Sequence, residues 1–209
     1  MRSAELPEPA LTAFSHESMG LSKERKERNN IDQKKTIVFD LDETLVHRLS
    51  NPELRDAQGS ADLNFRLKRS TTVPLPQDVH VNFRPFAREC LEVANEFYEV
   101  IVFTAGIREY ADPVLDSLDP TGCLIQHRFY REHCCRVQSA GEHIYVKDLR
   151  VLGGRNLKDI LIVDNSLQSF AFQLNNGVPI ADFTIDKNDR ELLTLARYIR
   201  RVAQYDDVR

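Results

Sequence analysis

The chain has 209 residues, 42% of them hydrophobic, which is enough for one domain with a single substantial core. With 28 Lys and Arg against 32 Asp and Glu, the formal charge is −4 at pH 7, which gives no electrostatic basis for non-specific binding to nucleic-acid phosphates. The longest apolar runs have about five residues, far fewer than the roughly 20 that span a bilayer, and residues 1–20 show no signal-peptide core. We therefore expect an intracellular protein, nuclear or cytoplasmic, with no membrane span and no direct contact with nucleic acid.

The first 33 residues differ in character from the rest. They contain Pro7, Pro9 and a run of mixed charge at 23–28, without sustained apolar periodicity. We expect residues 1–33 to form a flexible leader. A solvated tail is one interpretation, and a docking or nuclear-import signal is the other.

A short apolar strand then ends in two acids. The β-branched and aromatic run Thr36–Phe39 is typical of a buried strand, and Asp40, Asp42 and Thr44 follow it directly. Residues of about 48–78 break the α/β pattern with several prolines and a glycine, which predicts an insertion. Within and just after it, apolar and polar residues alternate, as expected for small strands or a hairpin beside the site; the apolar positions are Leu63, Phe65, Leu67, Val79, Val81 and Phe83.

The remaining chain alternates predicted helices and strands. The expected elements are a helix that Pro85 opens and that reaches Phe97, a strand at 100–103, a helix at 107–118 kinked or restarted near Pro113, a strand at 124–130, a segment at 144–146, a strand at 160–163, an edge strand at 178–180 and a closing helix at 190–202. This order predicts an α/β fold with a parallel sheet.

Three of the predicted strands end at polar side chains. Asp40 and Asp42 follow the first, Thr104 follows the second, and Asp164 and Asn165 follow the third. Because the carboxyl ends of parallel strands lie along one edge, where such sheets bind ligands, we expect these side chains in one crevice, with the Asp40 strand central.

The residue types indicate phosphoryl transfer. Two carboxylates at positions i and i+2 can take different roles, with Asp40 attacking phosphorus and Asp42 protonating the leaving oxygen and then activating water. A phosphate dianion needs counter-charge. Lys147 is a suitable cation, and Mg²⁺ could bind to Asp40, the backbone carbonyl of Asp42 and Asn165. The Thr104 hydroxyl can donate to phosphate oxygens.

Four motifs in order carry a resemblance to a known superfamily. They are D-L-D-E-T at 40–44, V-F-T-A at 102–105, Y-V-K-D-L at 145–149 and I-V-D-N-S at 162–166. The chain resembles the haloacid dehalogenase superfamily, and within it the small phosphatases that act on the RNA polymerase II C-terminal domain, including Dullard-like and NLI-interacting-factor-like proteins.

The resemblance implies a fold, a reaction and a set of site residues. It implies a Rossmann-like sheet with helices on both faces, an FCP1-homology domain at 34–209, and a Mg²⁺-dependent protein serine/threonine phosphatase that works through an aspartyl phosphate. A phosphoprotein is the implied partner, and we expect a monomer. The assignments are catalytic Asp40 and Asp42; phosphate-binding or supporting Thr44, Thr104, Ala105, Lys147 and Asp164; substrate-binding Leu67, Val79, Ile107 and Arg131; and metal-binding Asp40, Asp42 and Asn165.

The departures from the family pattern lie near the specificity region. Arg66, Lys68 and Arg69 make the insertion more basic than the apolar pocket of relatives that recognise phosphoserine before proline. Gly106 and Asp182 stand where serine and tryptophan are common in relatives. We expect neither of these two to contact the reacting groups.

Other functions remain open at this point. A small-molecule phosphatase or phosphotransferase of the same superfamily is one alternative, and a catalytically silent phosphoprotein-binding module is another. No cysteine is followed by arginine six positions later, which excludes the thiolate phosphatase motif and requires an oxygen nucleophile. A zinc site is a further alternative, although the paired spacing of such sites is missing; its ligands would come from His127, His133, Cys134, Cys135 and His143.

Overall fold

The structure is a computed structural model that describes residues 34–51, 53, 60–139 and 141–209. The leader at 1–33 and residues 54–59 of the insertion lie outside the described residues, so the expectations for them stay predictions.

A five-stranded parallel sheet forms the centre of the described chain, in the order β10-β9-β1-β5-β6. The strands are β1 (Lys35–Phe39), β5 (Tyr98–Phe103), β6 (His127–Phe129), β9 (Ile160–Asp164) and β10 (Gly177–Pro179). Strand β1 pairs with β5 on one side and β9 on the other, with Phe39 opposite Val102 and Val163. The predicted central strand and its two neighbours are therefore confirmed.

Alternate residues of the sheet enter two separate cores. On β1, Ile37 and Phe39 belong to the larger core and Val38 to the smaller one. The three α-helices of the described chain contribute their buried residues to the larger core. They are α1 (Ala87–Phe97), α2 (Arg108–Leu118) and α3 (Glu191–Val202).

The opposite face is covered differently from the prediction. Its core contains Leu149, Leu152 and Phe170, which come from the 3-10 helices Leu149–Leu152 and Leu167–Phe170. Helical segments thus lie on both faces, but those on the second face are short 3-10 turns. Gly153 and Gly154, both at positive φ, end the first of these turns after four residues, so no α-helix develops there.

The insertion forms a small antiparallel sheet with strand order β2-β4-β3. Its strands are β2 (Val46–Arg48), β3 (Leu63–Leu67) and β4 (Gln77–Phe83). Val46, two residues after the acidic motif, pairs with Phe83, so the small sheet begins almost directly after that motif. At the other end of the small sheet, Leu67 pairs with Gln77. The predicted small strands are confirmed, and the insertion starts two residues earlier than expected.

Several element boundaries differ from the predictions. Helix α1 begins at Ala87, after Pro85 and after Phe86 in the left-handed region at φ 65°. Helix α2 continues through Pro113. Residues 124–126 precede the short strand β6, and 144–146 belong to a hairpin of β7 (Cys135–Ser139) and β8 (Glu142–Val146) that the sequence did not predict. In the part of the chain that the structure describes, the helices are too short and too polar to cross a bilayer.

Candidate active site

The loop after β1 presents the two acids. The Asp40 amide donates to the Val163 carbonyl at 2.9 Å, which continues the β1–β9 pairing by one residue. The Leu41 carbonyl then accepts from Leu45 and Val46, so the chain turns back at once. Glu43 adopts φ 57° inside this turn, a conformation that non-glycine residues rarely take and that is often found at functional sites.

Lys147 lies between two carboxylates at the carboxyl edge of the sheet. Its Nζ donates to Asp40 Oδ1 and, at 2.5 Å, to Asp164 Oδ2. The lysine and Asp164 side chains are 2% and 1% exposed, whereas the Asp40 side chain is 9% exposed. The strand ends of β1 and β9 and the residue after β8 therefore meet in one buried ionic cluster.

Burial controls the electrostatics of this cluster. Desolvation raises the pKa of Asp40 to about 7, although the neighbouring Lys147 opposes the shift. Burial alone would lower the pKa of Lys147, but its attraction to Asp40 and Asp164 is stronger and the net shift is upward. The lysine therefore stays charged, and its ammonium group is fixed between the two carboxylates at the sheet edge.

Thr44 and Asn165 complete an oxygen-rich corner beside Asp40. The Thr44 hydroxyl lies 3.2 Å from Asp40 Oδ2 and 3.4 Å from Asn165 Oδ1. Asn165 Nδ2 donates to Asp182 Oδ1 at 3.0 Å, which orients the amide with its oxygen toward Thr44. Asp182 thus bonds directly to a proposed metal ligand, and no contact of Asp182 with Asp40 or Asp42 is described.

This corner fits a hard divalent cation. A carboxylate oxygen of Asp40 and the amide oxygen of Asn165 are both within reach of one hydroxyl, and oxygen donors of this kind suit Mg²⁺. Among the described residues, no three His, Cys, Asp or Glu side chains are grouped to hold a metal, so the structure gives no support to the zinc alternative.

Asp42 lies beside Tyr110 of helix α2. The Tyr110 hydroxyl donates to Asp42 Oδ1. Burial raises the pKa of Asp42, and the hydrogen bond from Tyr110 partly offsets this. The guanidinium carbon of Arg48 lies 5.7 Å from the centre of the Tyr110 ring, so tyrosine and arginine form one wall next to Asp42.

The loop after β5 adjoins this wall, because Gly106 lies next to the Tyr110 ring. The Gly106 amide donates to Thr104 Oγ1 at 2.8 Å, and a Cβ at position 106 would lie 3.1 Å from that oxygen. Arg131 Nε donates to the Ala105 carbonyl at 2.6 Å, and its guanidinium lies 5.2 Å from the Tyr145 ring. The Gly106 backbone therefore contacts the predicted phosphate-binding Thr104, and a side chain at position 106 would fit tightly against Thr104 and Tyr110.

These walls enclose a cavity of about 680 Å³ with a broad opening. The predicted residues that line it are Asp40, Asp42, Leu67, Thr104, Ala105, Ile107, Arg131, Lys147, Asp164 and Asn165. Thr44 is fully buried and supports Asp40 from behind. The assignment of Val79 to the substrate pocket was wrong: Val79 is 1% exposed and belongs to the core, because the inward face of β4 packs against the main domain.

The site residues that the sequence interpretation did not assign include Arg48, Gly106 and Tyr110, which line the cavity, and Asp182, which bonds to Asn165. Tyr110 had a usable signal, because the first turn of a helix that follows a strand-end loop lies near the sheet edge. No sequence signal indicated Asp182 or Arg48, because the residues that they contact belong to other segments of the chain.

The parallel sheet, its β insertion and the aspartate–lysine–aspartate cluster place the chain in the haloacid dehalogenase class of α/β folds. Within that class, the chain belongs to the NLI interacting factor-like phosphatase family, whose sequence model matches residues 35–209.

Curated relatives agree with this membership. The chain is 42% identical over 175 residues to a "Probable C-terminal domain small phosphatase" of Dictyostelium discoideum, covering 84% of this chain and 53% of that one. It is 38% identical over 172 residues to the human "Carboxy-terminal domain RNA polymerase II polypeptide A small phosphatase 1", covering 82% and 60%. The chain thus spans little more than half the length of these two relatives.

Solved structures show the same fold. The structure of "Fcp1, an essential RNA polymerase II CTD phosphatase" superposes with a TM-score of 0.61 at 18% identity, covering 88% of this chain and 55% of that one. The fission yeast Fcp1 variant bound to beryllium fluoride has a TM-score of 0.60 at 17% identity, with 88% and 56% coverage. At this identity the likeness concerns the fold alone.

Proposed function

We propose that the chain is a Mg²⁺-dependent protein serine/threonine phosphatase that acts through an aspartyl phosphate on Asp40. The observation that carries the proposal is the charged, buried Lys147 shared by Asp40 and Asp164 at the base of an open cavity. Such a cation pre-arranged beside a partly exposed carboxylate favours the approach of a phosphate to that carboxylate. Membership of a phosphatase family supports the same reaction.

The chain's own residues divide the reaction into two steps. An Asp40 oxygen attacks phosphorus and forms an aspartyl phosphate, while the bond from phosphorus to the serine or threonine oxygen breaks and Asp42 gives that oxygen its proton. Asp42 then takes a proton from water, the water oxygen attacks phosphorus, and the Asp40 carboxylate and inorganic phosphate are released. Lys147 and the Thr104 hydroxyl hold the phosphate oxygens in both steps.

Mg²⁺ would be held by Asp40, Asn165 and the backbone carbonyl of Asp42. When bound, the ion supplies positive charge against the phosphate dianion beside two acids. Thr44 and Asp182 keep the Asp40 and Asn165 oxygens in place for it.

The shape of the site favours phosphorylated protein segments. The cavity is open, and its wall combines apolar Leu67 and Ile107 with Arg48 and Arg131, so an extended peptide could cross it. The name of the human relative refers to the carboxy-terminal domain of RNA polymerase II, and a similar serine-phosphorylated segment is the substrate class that we propose. We also propose that 34–209 is the catalytic domain and that the protein works inside the cell, nuclear or cytoplasmic, as a monomer. Profiling against a phosphopeptide library and a metabolite panel distinguishes a protein substrate from a small-molecule one.

The decisive experiment compares Asp40→Asn with Asp42→Asn. Asp40→Asn removes the attacking carboxylate, so activity on p-nitrophenyl phosphate and on a phosphoserine peptide should fall to background. Asp42→Asn keeps the nucleophile but loses proton transfer, which typically contributes about 10²- to 10⁴-fold. Its loss should be smaller for p-nitrophenyl phosphate, because p-nitrophenolate leaves without a proton whereas a serine alkoxide does not.

Beryllium fluoride separates the two roles without turnover. It mimics the phosphoryl group on aspartate, and a fission yeast Fcp1 variant has been crystallised with it. It should bind to Asp42→Asn and not to Asp40→Asn. Asp116→Asn is the matched control, because it makes the same change at a side chain 68% exposed on α2, and it should behave as wild type. Beryllium fluoride on Asp40→Asn would reverse the roles, and wild-type turnover of the phosphopeptide by both site variants would end the proposal.

A further inference from the structure

Arg48 occupies a special position at the mouth of the cavity. It is the last residue of β2, eight residues after Asp40, and its exposed side chain lines the cavity together with Gln77 and Tyr110. Nη2 donates to Gln77 Oε1 at 3.2 Å, and the guanidinium lies 5.7 Å from the centre of the Tyr110 ring. A neutral amide and an aromatic ring therefore hold the arginine at a defined place.

Among the described residues, Arg48 has no carboxylate within salt-bridge distance, unlike most arginines around it. Arg66 on the same small sheet pairs with Asp78 at 3.7 Å, and Arg84 pairs with Asp189 at 2.8 Å. The guanidinium of Arg48 has five N–H donors, and one described bond uses one of them. Arg48 is thus a positioned cation that lines an open cavity and has further donors available.

The position of Arg48 identifies which part of a substrate it would meet. Tyr110 bonds to Asp42, and Asp42 is the proposed proton donor to the leaving oxygen. Arg48, on the same wall, lies on the leaving-group side of the cavity. The leaving group of a phosphopeptide is the peptide itself, so the residues flanking the phosphoserine would pass this side. The adjoining segment adds exposed Lys68 and Arg69 directly after Leu67, another cavity residue.

We propose that Arg48 is a specificity-determining residue that binds a second anionic group on the substrate, a carboxylate or a second phosphate close in sequence to the phosphoserine being hydrolysed. The inference rests on the proposed function and deepens it. Arginine binds both anions with paired hydrogen bonds, and Gln77 and Tyr110 already restrict its side chain, so little conformational freedom is lost on binding. The enzyme would then prefer phosphoserine in an acidic or multiply phosphorylated segment.

The test uses matched phosphoserine peptides. In the first series, Glu is placed in turn at each of the two positions before and the two positions after the phosphoserine. In the second series, a non-hydrolysable phosphonate analogue of phosphoserine is placed at the same positions, and the reference peptides carry Gln at them. For wild type, kcat/KM should rise about tenfold for at least one anionic position, mainly through KM, which is equivalent to about 1.4 kcal/mol. Arg48→Gln should reduce that ratio to less than about twofold. A gain with both series assigns the site to any anion, and a gain with the phosphonate alone assigns it to a second phosphate.

Two further variants make the result specific. Arg48→Lys keeps the charge and should keep part of the preference, and it also serves if Arg48→Gln does not fold. Arg66→Gln removes the same charge from β3 on the other side of β4, where the side chain is 68% exposed and does not line the cavity, so it should keep the full preference. Equal kcat/KM for anionic and Gln peptides in wild type overturns the inference, and so does an equal loss of preference in Arg48→Gln and Arg66→Gln. Wild-type turnover of p-nitrophenyl phosphate with Mg²⁺ tests the proposed function separately.

Discussion

Breaking the buried ion pair behind the active-site loop should destabilise the protein, because one charge is then left buried without its partner. Arg84 is fully buried and donates from Nε and Nη2 to the two carboxylate oxygens of Asp189, at 2.9 and 2.8 Å. Its Nη1 donates to the Thr44 carbonyl at 3.2 Å. Replacing Asp189 with Asn removes the negative charge and one of the paired bonds while the arginine stays buried. Breaking such a pair costs about 3–5 kcal/mol, and the lower end applies here because Asp189 is 13% exposed.

Thermal unfolding measures this cost. For a domain of this size about 1 kcal/mol corresponds to roughly 2–4 °C, so Asp189→Asn should lower Tm by about 6–12 °C. The control is Asp78→Asn, which breaks the pair with Arg66 on the surface, where both side chains are more than 60% exposed. Exposed pairs contribute little, and its Tm should change by less than about 2 °C. Equal Tm shifts for the two variants would refute the reasoning from burial.

Three further predictions concern the metal, the tyrosine and pH. EDTA should abolish hydrolysis of p-nitrophenyl phosphate, and added Mg²⁺ should restore it. Iodoacetamide should leave the activity intact, because no cysteine among the described residues lines the cavity. Loss of activity on alkylation alone would indicate a thiol mechanism. Tyr110→Phe removes the hydrogen bond that the Tyr110 hydroxyl donates to Asp42. It should lower kcat on a phosphoserine peptide about 10- to 100-fold and lower kcat on p-nitrophenyl phosphate by less. Equal losses on the two substrates would mean that Tyr110 does not act through Asp42. Burial would raise the pKa of Asp119, but the backbone amides of Ile125, Leu124 and Cys123 lower it below the ordinary 3.8. The ionised Asp119 carboxylate therefore stabilises the folded protein above pH 3.8, and this contribution is lost as pH falls through the folded-state pKa. In urea titrations, the difference in unfolding free energy between wild type and Asp119→Asn should shrink below about pH 4. A difference that stays constant with pH would contradict this.

The central sheet and its acidic edge were predictable because their signals are local. Apolar runs that stop at Asp40, Thr104 and Asp164 contain both the strand and its end, and parallel pairing then brings the three ends together. Lys147 was found in the same way, as the first residue after a β-branched and aromatic segment. A single short window of sequence carries the information in each case.

The supporting contacts were not predictable from such windows. Arg84 and Asp189 are 105 residues apart, and Tyr110 and Asp42 are 68 apart, so their contacts exist only after the sheet has formed. Val79 illustrates a different limit. Alternation correctly predicted β4, but a period of two does not say which face of a strand meets the core and which meets the cavity.

The ionic cluster bears on the choice between its two acids, Asp40 and Asp164, as the proposed nucleophile. Buried ion pairs contribute little net stability, because desolvating the charges costs about as much as their attraction returns, and apolar side chains could fill the same space. The cluster therefore has a better explanation in chemistry than in folding. Both aspartates line the cavity, but the side chain of Asp164 is 1% exposed, whereas that of Asp40 is 9% exposed. The greater exposure of Asp40 favours it over Asp164 as the nucleophile of the proposed reaction.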